Sequence, residues 1–475
     1  MNHPPPPATY LRRLTLFDTA MMVVSGIIGG GIFLTPAVVA ERAGSASLVV
    51  FVWIVGGVVA LSGALCFAEL GSRRPEAGSV YVCLREVIGP LPAFLYGWTA
   101  LLVVNTGSIA GLAMVFAQYL ADLLGVPASA LPAAVPSLAI GAILVLSVLH
   151  YVGIRTGATT LNVLTVLKLA ALAALIVIGL AGVHGLGGAG AATAVVADAP
   201  AGEPGGWWPP VRLIGIALIP VVFSYGGWNH VTNVAGEIRQ PERTIPRAMV
   251  LGIAGVLTVY LLVNVALLGV LGTAGLAKSA APATDAVRLV LGPQGGVLIG
   301  VGVALSTLAC AHMMIVAAPR VLQRLAADGL FFAGVAALHP SYHTPHRALL
   351  LQAGWAALLV LSGTYGQLLD YVTFGDWIFL AMIVATVFAY HRRDARDAAG
   401  AFTGYRVTGY PVVPSFFIVA AAFIVVSVVL SGPRNALYGA LIIAAGVPAF
   451  ALWRRRTRAL ARAVGALPMG ADESG

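Results

Sequence analysis

"SGIIGGGIF", residues 25–33, lies inside the first apolar stretch of the chain. Three consecutive glycines, Gly29, Gly30 and Gly31, interrupt a segment whose composition is that of a membrane helix. Glycine costs about 1 kcal/mol against alanine in a helix interior. A weakened span needs a reason. One is packing: Gly26 and Gly30 form a GxxxG pair, which lets two membrane helices approach closely. The other is a deliberate break.

The sixth apolar stretch favours the break, with which packing through Gly26 and Gly30 need not conflict. It holds "FSYGGWNH", residues 223–230, with Gly226 and Gly227 at a similar depth. Interrupted segments at matching positions of two halves mark a transporter's binding site. Five spans separate the two breaks, an odd number, so the halves lie in opposite orientations. An unwound segment frees N–H groups on one side and C=O groups on the other. A half-helix N-terminus suits an anion, and freed carbonyls suit a cation. A zwitterion with a carboxylate and an ammonium matches that pair.

The rest of the chain has the composition of a polytopic membrane protein. Of 475 residues, 59% are hydrophobic and 9% charged, and the mean hydropathy is +0.93. A soluble domain of this length needs a charged surface. A span takes about 20 apolar residues. Spans are expected near 16–40, 46–70, 90–121, 134–152, 157–182, 212–235, 247–271, 292–318, 347–363, 367–390, 412–431 and 436–453, twelve in all. The third is long and starts with an interfacial turn, "YVCLREVIG" (81–89). The organisation expected is a tail 1–15, a first repeat 16–182, an outer loop 183–211, a second repeat 212–390, two further spans in 391–453 and a tail 454–475. Trp207 and Trp208 end the outer loop as interface anchors.

The net charge of +9 is a matter of topology rather than of nucleic-acid binding. The two tails and the even-numbered connections carry 21 of the 27 lysines and arginines, and the odd connections carry five. This asymmetry puts both termini in the cytoplasm. The polar, proline-rich N-terminus has no cleavage site and reads as a retained tail. Cys66, Cys83 and Cys310 have no CxxC spacing and read as small buried side chains, giving neither a disulfide nor a zinc site. No cofactor or metal is implied. No Walker motif, nucleophile elbow or HExxH is present, so an ATPase, hydrolase or protease is not indicated.

The remaining basic residue is Lys168, in "TLNVLTVLKLAAL" (160–172), deep in the fifth span. A lysine at the bilayer centre costs roughly 2.5–3.5 kcal/mol on insertion scales, so it needs acceptors, and the carbonyls of the unwound first span are the obvious ones. It acts either as a fixed cation or as a proton carrier. In "FGDWIF" (374–379) Asp376 is an acid inside the apolar tenth span, beside Trp377. Asp376 either faces the site or bonds a neighbouring helix; Trp377 either lines the site or packs in the core or against lipid. Asp18 helps to start the first helix. Glu237 ends the sixth span at a gate or an interface. His230 and His312 lack metal-ligand spacing and read as solvated or hydrogen-bonded.

With "FAELGSRRPEAGSVYVCL" (67–84) and "PRVLQRLAADGLFF" (319–332), these motifs resemble, in order and spacing, the amino acid–polyamine–organocation superfamily. The chain looks closest to the L-type amino acid exchangers and their bacterial relatives. The resemblance covers nearly all of 14–453 and implies the fold of the leucine transporter: an all-α membrane protein with a 5+5 inverted repeat and spans one and six unwound. It implies that amides of Gly29, Gly30 and Gly31 hold a substrate carboxylate, although the family's usual serine at the middle position is glycine here. Carbonyls of Ile27, Phe223, Ser224 and Gly226 would take the ammonium. Tyr225, Asn229, Asp376 and Trp377 would line a side-chain pocket or gate, and Lys168 would occupy the position of a sodium ion. Animal members pair with a heavy chain through a cysteine between spans three and four; "DLLGVPASALPAAVP" (122–136) has none, so no disulfide-linked partner is expected. The function implied is sodium-independent exchange of neutral amino acids by alternating access, in a prokaryotic plasma membrane. Proton-coupled symport, antiport of cationic amino acids or polyamines, and a transporter-like nutrient sensor are the alternatives. A channel is disfavoured by the lack of charged rings.

Overall fold

The glycine-weakened stretch folds as two helices. In the computed structural model, which describes residues 9–185, 208–363, 365–397 and 402–465, α1 (Leu16–Ile27) stops at Ile28 and α2 (Gly31–Ala43) starts after Gly30, with a bend of 43° between them. Side chains at 183–185, 208–212, 365–374 and 456–465 are not described, and neither are Trp207 and the side chain of Trp208, the expected interface anchors.

The other helices are α3 (Ala46–Arg73), α4 (Ser79–Val87), α5 (Pro90–Thr99), α6 (Asn105–Leu123), α7 (Leu131–Tyr151), α8 (Ile154–Gly185), α9 (Trp208–Ser224), α10 (Pro241–Lys278), α11 (Pro282–Leu291), α12 (Pro293–Ala327), α13 (His346–Ser362), α14 (Tyr365–Arg396), α15 (Val412–Ser431) and α16 (Pro433–Gly465). A π-helical turn, Ala100–Val104, joins α5 to α6, and a 3₁₀ segment, Trp228–Glu237, follows α9. Among the described residues, nine helical spans are long and apolar enough to cross a bilayer, and the bent α1–α2 pair makes ten. The expected start of the third span is the separate short helix α4. The expected ninth span is the 17-residue α13.

α1 starts with a capping box. The Asp18 carboxylate accepts from the Thr15 N–H at 2.9 Å while Asp18 N–H donates to the Thr15 hydroxyl. So Thr15 is the cap and Asp18 completes it. The other Asp18 oxygen accepts from Asn162 on α8 at 2.6 Å, tying the base of α1 to α8. The chain just before α1 pairs with the chain just after the 3₁₀ segment. Leu14 N–H donates to the Glu237 carbonyl at 2.9 Å and Arg239 N–H to the Leu14 carbonyl at 2.9 Å.

Glycine sets the closeness of the inner helices. A Cβ at Gly63 of α3 would stand 2.4 Å from the ring of Phe417 and 2.7 Å from that of Trp228. α12 runs through the middle and is the most enclosed span, whereas α7, α8, α15 and α16 expose a belt of large apolar side chains such as Val145, Val148, Val419 and Leu441. Apolar exposure all round is what lipid solvent permits.

One ion pair is buried at the foot of this core. Glu237, ending the 3₁₀ segment, accepts from Arg320 Nε of α12 at 2.8 Å, and both side chains are at most 2% exposed. Removing one partner of a buried pair costs about 3–5 kcal/mol because the other charge is stranded. Arg320→Met is therefore expected to lower the thermal midpoint in detergent sharply, and Arg320→Met with Glu237→Leu to lower it less. A single variant as stable as the parent chain would refute this account of the pair.

Candidate functional site

A broken helix leaves carbonyls that membrane interior cannot hydrate. Here each carbonyl from Val24 to Gly29 has a partner. Val24 accepts from Ile28 N–H at 2.9 Å. Lys168 Nζ of α8 donates to the Ser25 carbonyl at 3.0 Å and the Ile28 carbonyl at 2.6 Å, and lies 3.3 Å from Ser25 Oγ. The Cys310 thiol of α12 donates to Gly26 at 3.4 Å, and the Ser306 hydroxyl to Gly29 at 2.9 Å. The Tyr260 hydroxyl of α10 lies 3.1 Å from the Ile27 carbonyl. An ammonium also complements the partial negative charge at the C-terminus of α1.

The second break mirrors the first in kind. α9 ends at Ser224. Gly226 N–H then turns back onto the Phe223 carbonyl at 3.0 Å, and Gly227 takes a φ of +99° before the 3₁₀ segment. The two breaks touch backbone to backbone. A Cβ on Gly227 would sit 2.2 Å from the Gly26 carbonyl oxygen, and one on Gly26 would sit 2.7 Å from that of Gly227. The Tyr260 hydroxyl, 3.1 Å from the Ser224 carbonyl as well, stands between the two segments. The Ser224 hydroxyl donates to Thr35 of α2 at 2.9 Å.

Between the breaks lies a cavity of about 370 Å³. Gly29, Gly30 and Gly31 line one side, and Phe223, Ser224, Tyr225 and Gly226 line another, with Ile27. As the residues opening α2, Gly30 and Gly31 present amides that have no carbonyl one turn back. The size falls in the range of small-ligand pockets. Asn229, His230, Asp376 and Trp377 also line the cavity. Behind Asp376 a void of about 10 Å³, roughly one water, is shared with Thr99 and Asn105 at the π-helical turn. Such turns often sit at functional sites. Among the described residues nothing hydrogen-bonds or ion-pairs with the Asp376 carboxylate. Trp377 stacks on Phe417 with ring centres 5.8 Å apart.

The pattern of the amino acid permease family matches residues 14–447, almost the whole chain. The chain belongs to the amino acid permease family. Among curated relatives, it is 29% identical to the serine/threonine exchanger SteT of Bacillus subtilis (strain 168), over 94% of this chain and 97% of that one. It is 29% identical to the mouse Asc-type amino acid transporter 1, over 95% of this chain and 83% of the relative. With the mouse b(0,+)-type amino acid transporter 1 it shares 28% identity, over 92% and 86%. These relatives are transporters, not enzymes.

Lys168 is the one expected site residue of this permease that does not line the cavity. It is fully buried behind the break. Three of the carbonyls expected to receive an ammonium already accept a bond or stand beside a donor: those of Ile27 and Ser224 with Tyr260, and that of Phe223 with Gly226. Gly26 and Gly30 both face α12, Gly26 through Met313 and Gly30 through Thr307, and Gly26 meets Gly227 more closely still. One expectation needs correction, that for His312, which is neither solvated nor hydrogen-bonded among the described residues, whereas His230 lines the cavity. Both are buried, His312 has no partner at either ring nitrogen and His230 none at Nδ1, among the described residues. The reason is packing: His312 lies against His150 of α7 at 4.4 Å between ring centres, with apolar helices around. Cys310 is buried as expected, but its thiol also serves a carbonyl.

Tyr260, Ser306 and Cys310 complete the break, and sequence reading did not single out the first two. Each is a lone polar group in an apolar helix, a faint signal until the fold shows what it faces. Gly227→Ala in the permease adds a Cβ both to a left-handed backbone, costing about 1–2 kcal/mol, and to the Gly26 contact. The expected result is a destabilised protein with no measurable substrate binding in a scintillation proximity assay; binding at parental affinity would contradict the crossing described.

Proposed function

We propose that this permease is a sodium-independent exchanger of neutral amino acids that works by alternating access. The observation that carries the reading is the cavity between the two helix breaks, lined both by Gly30 and Gly31 at the start of α2 and by the turn at Phe223–Gly226. A zwitterion's carboxylate would lie on the amides and its ammonium on the carbonyls of Ile27, Phe223, Ser224 and Gly226. Backbone groups read the common part of every amino acid and leave the side chain to Tyr225, Asn229, Asp376 and Trp377. The printed names of the relatives, a serine/threonine exchanger and two amino acid transporters, support the substrate class. Lys168, bonded to the Ser25 and Ile28 carbonyls, supports sodium independence, because a fixed ammonium takes the oxygens that a sodium ion would need. The same reading takes α13 and α14 as the ninth and tenth of twelve spans. It relates spans one to five and six to ten as an inverted repeat, and sets both termini in the cytoplasm of a prokaryote without a disulfide-linked partner.

Counterflow in proteoliposomes tests the exchange. Internal L-serine is expected to accelerate uptake of labelled L-serine at least about tenfold, unchanged when choline replaces sodium. A response only to an imposed proton gradient would replace exchange with proton coupling. A Cβ added at Gly30 would meet one side-chain atom, a Thr307 methyl at 3.1 Å. Gly30→Ser is expected to keep counterflow within about threefold and Gly30→Val to abolish it; normal counterflow by the valine variant would remove the triplet from the site.

Asp376 supports a second reading for the side chain. A carboxylate without a cation inside a membrane protein favours a cationic or hydrogen-bond-donating ligand. If neutral amino acids are the substrates, L-arginine competes with L-serine poorly, and Asp376→Asn changes the L-serine half-saturation by less than about threefold. Strong competition by L-arginine, lost in Asp376→Asn, would give the cationic reading precedence.

A further inference from the structure

Six arginines at the end of the molecule that carries the N-terminal segment are neutralised by carboxylates: Arg73 by Glu69 and Asp394, Arg74 by Glu86, Arg85 by Asp328, Arg320 by Glu237, Arg324 by Glu76 and Arg406 by Asp394. Among the others, one group is gathered together. Arg13, Arg155, Arg239, Arg243 and Arg247 are all exposed, and among the described residues none pairs with an acid. They come from three places in the fold: the segment before α1, the first turn of α8, and the chain from Arg239 into the start of α10. Two adjoining clefts of about 480 and 330 Å³ bring them together, sharing Thr15 and Arg239. A third opening continues from Arg243 and Arg247 along α10.

Two acids are nearby, and five arginines outweigh them. Asp18 lines the first cleft, hydrogen-bonded to the neutral groups of Thr15 and Asn162. Glu242 is exposed and opens onto the third cleft only. Five like charges around one trough repel, so an unliganded trough stores unfavourable electrostatic energy that a bound anion would relieve.

We propose that this trough binds the phosphate headgroup of an anionic phospholipid. The rim selects the lipid over a soluble anion. Leu16 lines one cleft and Val250 and Leu251 line the opening along α10, and these side chains are 37%, 40% and 59% exposed. Phe17, one residue further into α1, is 54% exposed. A free phosphate has no use for apolar contacts, whereas acyl chains need them directly beside the headgroup. Basic pockets between membrane helices are used in this way, each Lys or Arg near the surface contributing about fivefold in affinity. The headgroup would touch Arg13 and Arg239, which flank the Leu14–Ile238 pairing, together with Arg155 of α8 and Arg243 of α10. It would thereby join the base of the first broken segment to its neighbours.

The test is native mass spectrometry of the full chain in detergent, titrated with dioleoyl phosphatidylglycerol. The parent chain is expected to retain the lipid, and Arg155→Gln/Arg243→Gln/Arg247→Gln to require roughly a hundredfold more. The corresponding triple lysine variant is expected to stay within about tenfold of the parent. Arg392→Gln/Arg396→Gln, two other exposed arginines, is expected to change retention less than threefold. Inorganic phosphate at equal concentration is expected not to displace the lipid. Parental retention by the glutamine triple, or equal loss in the Arg392/Arg396 control, overturns the site. Displacement by phosphate alone overturns the lipid and leaves a soluble anion as the ligand.

Discussion

The contact between the Lys168 ammonium and the carbonyls of Ser25 and Ile28 holds the first span in its broken form. Without donors, those oxygens would sit dry, and the chain would recover their bonds by continuing the helix. An ammonium brings three donors to one point. It places its charge at the negative end of α1, so the broken helix stabilises the lysine as the lysine stabilises the break. Ser306, Cys310 and Tyr260 then serve the intervening carbonyls from two other helices. The cavity is a consequence, since a continuous helix would fill the space with its own backbone.

The glycines around that cavity do different jobs. Gly30 has an ordinary right-handed backbone, and Gly29 and Gly31 also have no positive φ, so the triplet is there for size. Added Cβ atoms would press on Cys310, Thr307 and Ser224. Gly227 is needed both for its left-handed backbone and for lack of bulk against Gly26. A single pattern in the sequence therefore reports two physical demands, close approach and backbone reversal.

Much of this was legible beforehand. Glycines clustered at matching places in two apolar stretches announce paired breaks, since packing alone does not call for them in both. A lysine among leucines announces a buried partner for the same reason. The carboxylate of Asp18 at the head of α1 reads as a helix start, though its capping partner Thr15 required the backbone. The residues that close the break were not legible. Tyr260 and Ser306 are unremarkable in their helices, and their meaning lies in which carbonyl of the first break they face, 233 and 277 residues away in the chain. The arginines of the trough were visible only as a topological bias, because whether a charge is paired depends on side chains brought from elsewhere. His312 went the other way: a polar residue reads as bonded, but packing against His150 leaves both its nitrogens unused.

The pairing of Leu14 with Ile238 fastens the foot of the first broken segment to the foot of the second. The same two segments cross again, backbone on backbone, at Gly26 and Gly227. Two fixed points define an axis. In the alternating-access reading proposed above, segments joined at both points would move as one, so that a displacement at the foot would reach the walls of the cavity above.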